Sequence, residues 1–307
     1  MNWKLRLLSN EKIPSNDQKA LRYALITVLF WSTVATAFKI GLEEFDPAQL
    51  IYLATITTLV VVFLIILFTR KLSLFRSLTL KQIALHALLG LFNPFAYYLL
   101  IFKAYNILPA QVTQPINMVW PIVLAILSVP LLKHKIGWKS IVALLISFLG
   151  VVFISSQGSV ANLSNIKSIG VILCVASAFV WSTYWIFNIK STVDKLVGLF
   201  LNFLFGLVYL TIFIRLFSTF NFPISGSFAA GIYIGIFETG ISFVLWMKAM
   251  SLTSNNARIA NLIYLAPFLS LVFIHFIIGE KIFPTTLLGL FFIISGILFQ
   301  QTEKMKE

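Results

Sequence analysis

The chain has 307 residues, 59% hydrophobic and 11% charged, with 23 Lys and Arg against 10 Asp and Glu and a net charge of +13. Soluble domains average about 45–50% apolar and about 25% charged residues, so a soluble fold of this length is excluded. The basic residues are scattered over short loops rather than gathered on one face, which argues against nucleic acid as a partner, and a single cysteine excludes an intrachain disulfide.

The first twenty residues lack a long apolar core and a small-residue cleavage site, so they read as a cytoplasmic tail rather than a signal peptide. A membrane-crossing helix needs about 20 largely apolar residues. Ten such spans follow: 21–41, 48–69, 82–104, 110–132, 138–156, 168–189, 195–217, 227–250, 256–279 and 284–301. A short tail, 302–307, ends the chain. The linkers are too short for a soluble domain. The expected fold is an all-α integral membrane protein with ten transmembrane helices. With the N-terminus inside, 18 of the 23 Lys and Arg fall inside and 5 outside: Lys39, Lys103, Lys167, Arg215 and Lys281. That bias places both termini in the cytoplasm.

The spans also repeat. Phe30-Trp31-Ser32-Thr33 returns as Val180-Trp181-Ser182-Thr183. Gly90-Leu91-Phe92 followed by Lys103-Ala104 returns as Gly235-Ile236-Phe237 followed by Lys248-Ala249, at a spacing of 145. Pro121, Lys135-Ile136 and Gly150 match Pro267, Lys281-Ile282 and Gly296, at a spacing of 146. The matches keep their order over two halves, 21–156 and 168–301. Each half has five spans, an odd number, so the second half enters from the opposite side. This is the inverted repeat of secondary transporters.

With these residues in view, the chain resembles the drug/metabolite transporter superfamily, and within it the ten-helix EamA-like exporters. The likeness covers about residues 21–301 and rests on Trp31-Ser32-Thr33 with Lys39, Trp181, Pro121, Pro267 and Gly279-Glu280-Lys281. It implies outward movement of small metabolites, often amino acids or toxic amphiphiles, across the bacterial inner membrane. It also implies a central cavity between spans 1, 3, 4, 6, 8 and 9. The chain departs from the family pattern at Ser32, commonly Gly, and near Ala54, commonly Arg. It also has Lys133-His134-Lys135 where the second half has Gly279-Glu280-Lys281.

Among ten acidic residues, Glu238 alone falls at mid-membrane depth. A carboxylate there is expensive without a partner or a wet cavity, so it marks a functional site. It is expected to bind substrate or carry a coupling proton; the plainer alternative is a protonated residue bonding helices together. Its repeat mate is Asn93, before Pro94, whose ring removes a backbone hydrogen bond. In span 4, Gln114, Asn117 and Pro121 share a face at i, i+3, i+7. In span 9, Arg258, Asn261 and Tyr264 precede Pro267 at i, i+3, i+6. Both faces are expected to line the cavity beside proline kinks. Interhelical hydrogen bonding is the alternative for each, worth about 0.6 kcal/mol, and Arg258 can also snorkel to water.

Trp31, with Trp181 as its repeat mate, lies about ten residues into its span, too deep for an interfacial anchor. Both offer flat apolar surface to an aromatic or amphipathic substrate, with Tyr97, Tyr98 and Tyr184, or else they simply pack. His275 is expected to pack in the outer half of span 9. Gly150 and Gly296 read as close-packing sites, leaving open a homodimer through spans 5 and 10. The sequence has no phosphate-binding loop and no cluster of acids, His or Cys, so neither an enzyme, a metal nor a cofactor is expected. The partners expected are a small-molecule substrate and the lipid bilayer. The function expected is secondary active export by alternating access, with an uncoupled facilitator or channel as the alternative.

Overall fold

The computed structural model describes residues 15–132, 138–158, 167–254 and 259–301. Ten long helices lie within them: α1 (Ser15–Gly41), α2 (Pro47–Phe68), α3 (Leu80–Ile107), α4 (Ala110–Leu131), α5 (Trp138–Ser155), α6 (Ser168–Ile189), α7 (Lys195–Phe217), α8 (Gly226–Leu252), α9 (Asn261–Ile278) and α10 (Pro284–Gln301). α1 starts six residues before the expected span, with Asp17 in its first turn, where a carboxylate favours the helix dipole.

The polar residues between apolar runs set the helix starts. Asp46 caps α2 in a box with Gln49, and Pro47 opens the helix. Thr79 and Gln82 do the same for α3. Asp194 caps α7, and Ser225 caps α8. These side chains take backbone N–H groups that have no partner inside the helix. Gly279 ends α9 at φ +78°, a conformation that costs glycine little.

Packing follows a two-fold exchange of the halves. α1 packs on α8 and α9, while its mate α6 packs on α3 and α4. α2 packs on its own mate α7, and α5 on α10. One pair of glycines shows the symmetry at atomic scale. A Cβ on Gly90 of α3 would lie 2.5 Å from the Asn202 carbonyl of α7. A Cβ on its repeat mate Gly235 of α8 would lie 2.5 Å from the Ala54 carbonyl of α2. Small residues let both backbones approach, as membrane helices require.

Gly150 and Gly296 are both spent within the chain. Gly150 meets Gly289 and Ile293 of α10, and Gly296 meets Ser147 and Ala143 of α5. A homodimer through α5 and α10 remains a proposal and would use their other faces. Those faces are apolar and exposed at Leu145, Phe148 and Phe291. Eight of the helices are long and apolar enough to cross a bilayer, and α5 and α10 are shorter apolar helices. The molecule is a multi-pass membrane protein.

Candidate functional site

The helices nearest the centre are broken, and the breaks obey the repeat. α3 contains a π turn at Leu91–Ala96, and α8 contains one at Gly235–Gly240. α4 breaks after Asn117, at Met118. α9 begins as a 3-10 turn that gives way to α-helix after Tyr264, at the repeat-matched position. Breaks at membrane depth release backbone groups that must find new partners. In α8 they do. Thr58 donates to the Gly235 carbonyl at 3.1 Å, Ser242 donates to that of Phe237, and the Trp31 indole donates to that of Glu238 at 3.2 Å. Three residues from two other helices and α8 itself therefore hold the turn that presents Glu238.

The Glu238 side chain receives a hydrogen bond from the Tyr98 hydroxyl at 3.0 Å, on Oε1. Oε2 is buried and has no hydrogen-bond partner among the described residues. A carboxylate oxygen left that way is costly. As built, the site suits a neutral carboxylic acid, or a carboxylate joined by a bound cation.

Glu238 lies on the wall of a central cavity of about 790 Å³, a size suited to a drug-like molecule. Its walls are largely aromatic: Trp31, Tyr97, Trp181, Tyr184, Phe243 and Trp246. The Trp181 ring centroid is 4.6 Å from Tyr97, 5.5 Å from Tyr184 and 6.2 Å from Phe243. Trp31 stands 5.3 Å from Trp246 and 6.1 Å from Phe243. Asn117 supplies a fixed polar group. Its Oδ1 accepts from Tyr97 at 3.2 Å and its Nδ2 donates to Ser177 at 3.1 Å. The cavity reaches exposed residues at one end, Ile189, Lys195 and Ser251. At the other end its walls are buried at Phe38, Tyr105 and Gln114. The cavity is therefore open toward the α6–α7 end and closed toward the α3–α4 end.

Of the residues expected at the site, Trp31, Tyr97, Gln114, Asn117, Trp181, Tyr184, Glu238 and Tyr264 line this cavity. Asn93 does not. It is fully buried, and its extended backbone (φ −142°, ψ 118°) takes the side chain out of helical register. Asn261 does not either; it is exposed. The cavity face of α9 runs through Ile263 and Tyr264 with Ala260 just before them, and in the 3-10 turn Asn261 sits about 120° around the axis from Ala260. Arg258 lies outside the described residues. His275 is exposed rather than packed, with Nδ1 at 3.0 Å from the Glu280 carbonyl.

Tyr98 is the partner that sequence reasoning undervalued. It was expected only as aromatic surface, yet it holds the carboxylate. Its repeat mate at the spacing of 145 is Phe243, which lines the cavity, but no sequence pattern joins Tyr98 to Glu238.

The model of the EamA-like transporter family matches the chain twice, at residues 18–156 and 168–300. An uncharacterized transporter of Archaeoglobus fulgidus is 24% identical over 287 residues, covering 92% of this chain and 96% of that protein. An uncharacterized transporter of Clostridium kluyveri is 28% identical over 184 residues, covering 57% of this chain and 58% of that one. The uncharacterized transporter YvbV of Bacillus subtilis is 24% identical over 219 residues, covering 70% of each. A solved crystal structure, 20% identical, superposes with a TM-score of 0.66 over 94% of this chain and 99% of its own. At that identity it speaks for the fold alone.

Proposed function

The chain belongs to the EamA-like transporter family, and on that premise we propose that it is a secondary active exporter of small amphipathic cations, working by alternating access. The observation that carries this reading is the Oε2 of Glu238, buried in an aromatic cavity without a hydrogen-bond partner among the described residues. An ammonium group supplies the missing charge, and the surrounding rings supply cation–π contact and apolar surface. A proton satisfies the same oxygen when the ammonium leaves. Competition for one carboxylate couples the two fluxes without any ATP-binding element. Amino acids fit less well, because a substrate carboxylate beside Glu238 would repel it. Lys195 lines the cavity only at its exposed end.

The orientation is part of the proposal. The open α6–α7 end would face the cytoplasm, with both termini there, in the plasma membrane. The bias of 18 basic residues to 5 supports this. Reporter fusions at the C-terminus and within the Glu43–Asp46 loop test it. A cytoplasmic C-terminus and an external loop are expected; the reverse would reject export from the cytoplasm by this route.

Asn117 and Asn261 give a second test. Losing the Asn117 amide unseats Tyr97 and Ser177, at about 1 kcal/mol or more for each bond. Asn117→Ala should lower transport about tenfold, about 1.4 kcal/mol being tenfold, while lowering the melting temperature by only a few degrees. Asn261→Ala should transport like the parent protein. Uptake of phenyltrimethylammonium into proteoliposomes measures both, because this permanent cation cannot shed its charge to cross the bilayer as a neutral amine, and protein-free liposomes set the background. Equal effects of the two substitutions would place the site elsewhere.

A further inference from the structure

The Gly279-Glu280-Lys281 motif and Lys39 lie off the cavity wall, yet both converge on the turn between α3 and α4. The carboxylate of Glu280 accepts from the backbone N–H of Ala110 at 2.8 Å and of Gln111 at 3.0 Å. These are the first two residues of α4. From α1, Lys39 Nζ donates to the carbonyls of Tyr105 at 3.0 Å and Leu108 at 3.2 Å, at the end of α3. A helix start exposes N–H groups and partial positive charge, and a helix end the opposite. A carboxylate on one and an ammonium on the other thus clamp a single turn from both sides.

Gln111 extends the clamp. Its Nε2 donates to the Lys281 carbonyl. Its Oε1 accepts from the Phe283 N–H at 3.2 Å and from the Thr286 hydroxyl at 3.0 Å. α1, the α3–α4 turn and the α9–α10 turn are so joined in one polar mesh. Directly beneath it the cavity ends. The Phe38 ring packs tilted against Phe102, with centroids 4.7 Å apart, and edge-on against Tyr105 at 5.2 Å, and Tyr105 donates to Gln114.

We propose that this mesh is the latch that holds the cavity shut at its α3–α4 end, with Glu280 and Lys39 as its charged positioning residues. The proposal rests on the alternating-access reading above. Opening this end parts the first turn of α4 from the α9–α10 turn. Each bond in the latch is then exchanged for one to water, so closure and opening stay close in free energy. The latch is also one-sided in sequence. His134 stands in the first half where the second half has Glu280, at the spacing of 146. The carboxylate therefore biases the molecule toward one of its two states, the one open at the α6–α7 end.

Accessibility to a membrane-impermeant maleimide tests the latch on the full chain without any substrate, in right-side-out vesicles for the reporter reached through the α3–α4 end and in inside-out vesicles for the reporter at the α6–α7 end. Cys174 is first replaced by Ala, and single reporters Ile101→Cys, on the cavity wall, and Ser251→Cys, at the open end, are added separately. Glu280→Gln should raise labelling of the Ile101→Cys reporter about tenfold and lower that of Ser251→Cys several-fold, the reciprocal shift of a two-state equilibrium. Glu280→Asp should stay near the parent, and Lys39→Ala should shift both reporters in the same directions as Glu280→Gln. Labelling unchanged at both reporters, or raised at both, overturns the latch; the second result would mean general loosening by a lost helix cap. If Glu280→Gln does not fold, Gln111→Ala is expected to give the same reciprocal shift, about threefold, and its absence overturns the proposal equally. A reciprocal shift in a protein that carries no cation would retain the latch and reject the proposed substrate.

Discussion

Glu238→Gln should yield a folded, membrane-inserted protein whose transport of phenyltrimethylammonium falls at least about 100-fold. The substitution keeps the side-chain volume and the acceptor for Tyr98, which donates to Oε1 at 3.0 Å. What it removes is the charge at Oε2, the atom that lacks a partner. Breaking one side of a buried ion pair costs about 3–5 kcal/mol, and about 1.4 kcal/mol is tenfold in affinity. The residual flux should not respond to pH, because an amide takes up no proton in this range. The turn itself should persist, since Thr58, Ser242 and Trp31 bond backbone carbonyls that the substitution leaves in place. Uptake into proteoliposomes across a range of pH, beside a thermal melt, measures both expectations. Parental flux with parental pH dependence would leave Glu238 as a bond between helices.

The second large effect is on assembly. Gly150→Leu should cost about 3 kcal/mol or more and give a protein that does not survive extraction as a single species. A Cβ on Gly150 would lie 2.6 Å from the Gly289 carbonyl and 2.8 Å from Ile293 Cγ1. The Gly289 Cβ would meet the Gly150 carbonyl in return. The obstacle is backbone on both sides, so no rotamer change relieves it. Overpacking of a well-fitted contact costs about 1–3 kcal/mol even where side chains can move. Gly226→Leu, with nothing within 4 Å of its Cβ, should behave as the parent. Size-exclusion profiles and melting temperatures of the two variants make the comparison. A monodisperse Gly150→Leu protein with an unchanged melting temperature would mean that α5 and α10 separate freely.

The ten helices were legible because each is an apolar run bounded by polar caps such as Asp46, Asp194 and Ser225. The central acid was legible because carboxylates are rare at that depth. The faces were legible only where the helix stays regular. Gln114 and Asn117 reach the cavity together from the unbroken start of α4, as a period of 3.6 requires, and Pro121 reaches it beyond the break at Met118. Asn93 does not, because its own backbone is extended (φ −142°, ψ 118°) inside the broken segment of α3, whereas the matching turn around Glu238 has no such residue among those described. Asn261 fails for a related reason: it opens α9 in a 3-10 turn, where the 3.6-residue period does not apply. The Tyr98–Glu238 bond and the Glu280 clamp join residues 140 and 170 positions apart. No local pattern encodes contacts of that range.

The most direct test is uptake of phenyltrimethylammonium by proteoliposomes with and without an acidic lumen. Exchange of a proton for a cation at Glu238 predicts saturable uptake that rises above the equilibrium level when the lumen is acid. It also predicts that this rise vanishes in Glu238→Gln. Uptake that is equal with and without the proton gradient, or equal in the parent and in Glu238→Gln, would contradict coupled transport through this carboxylate.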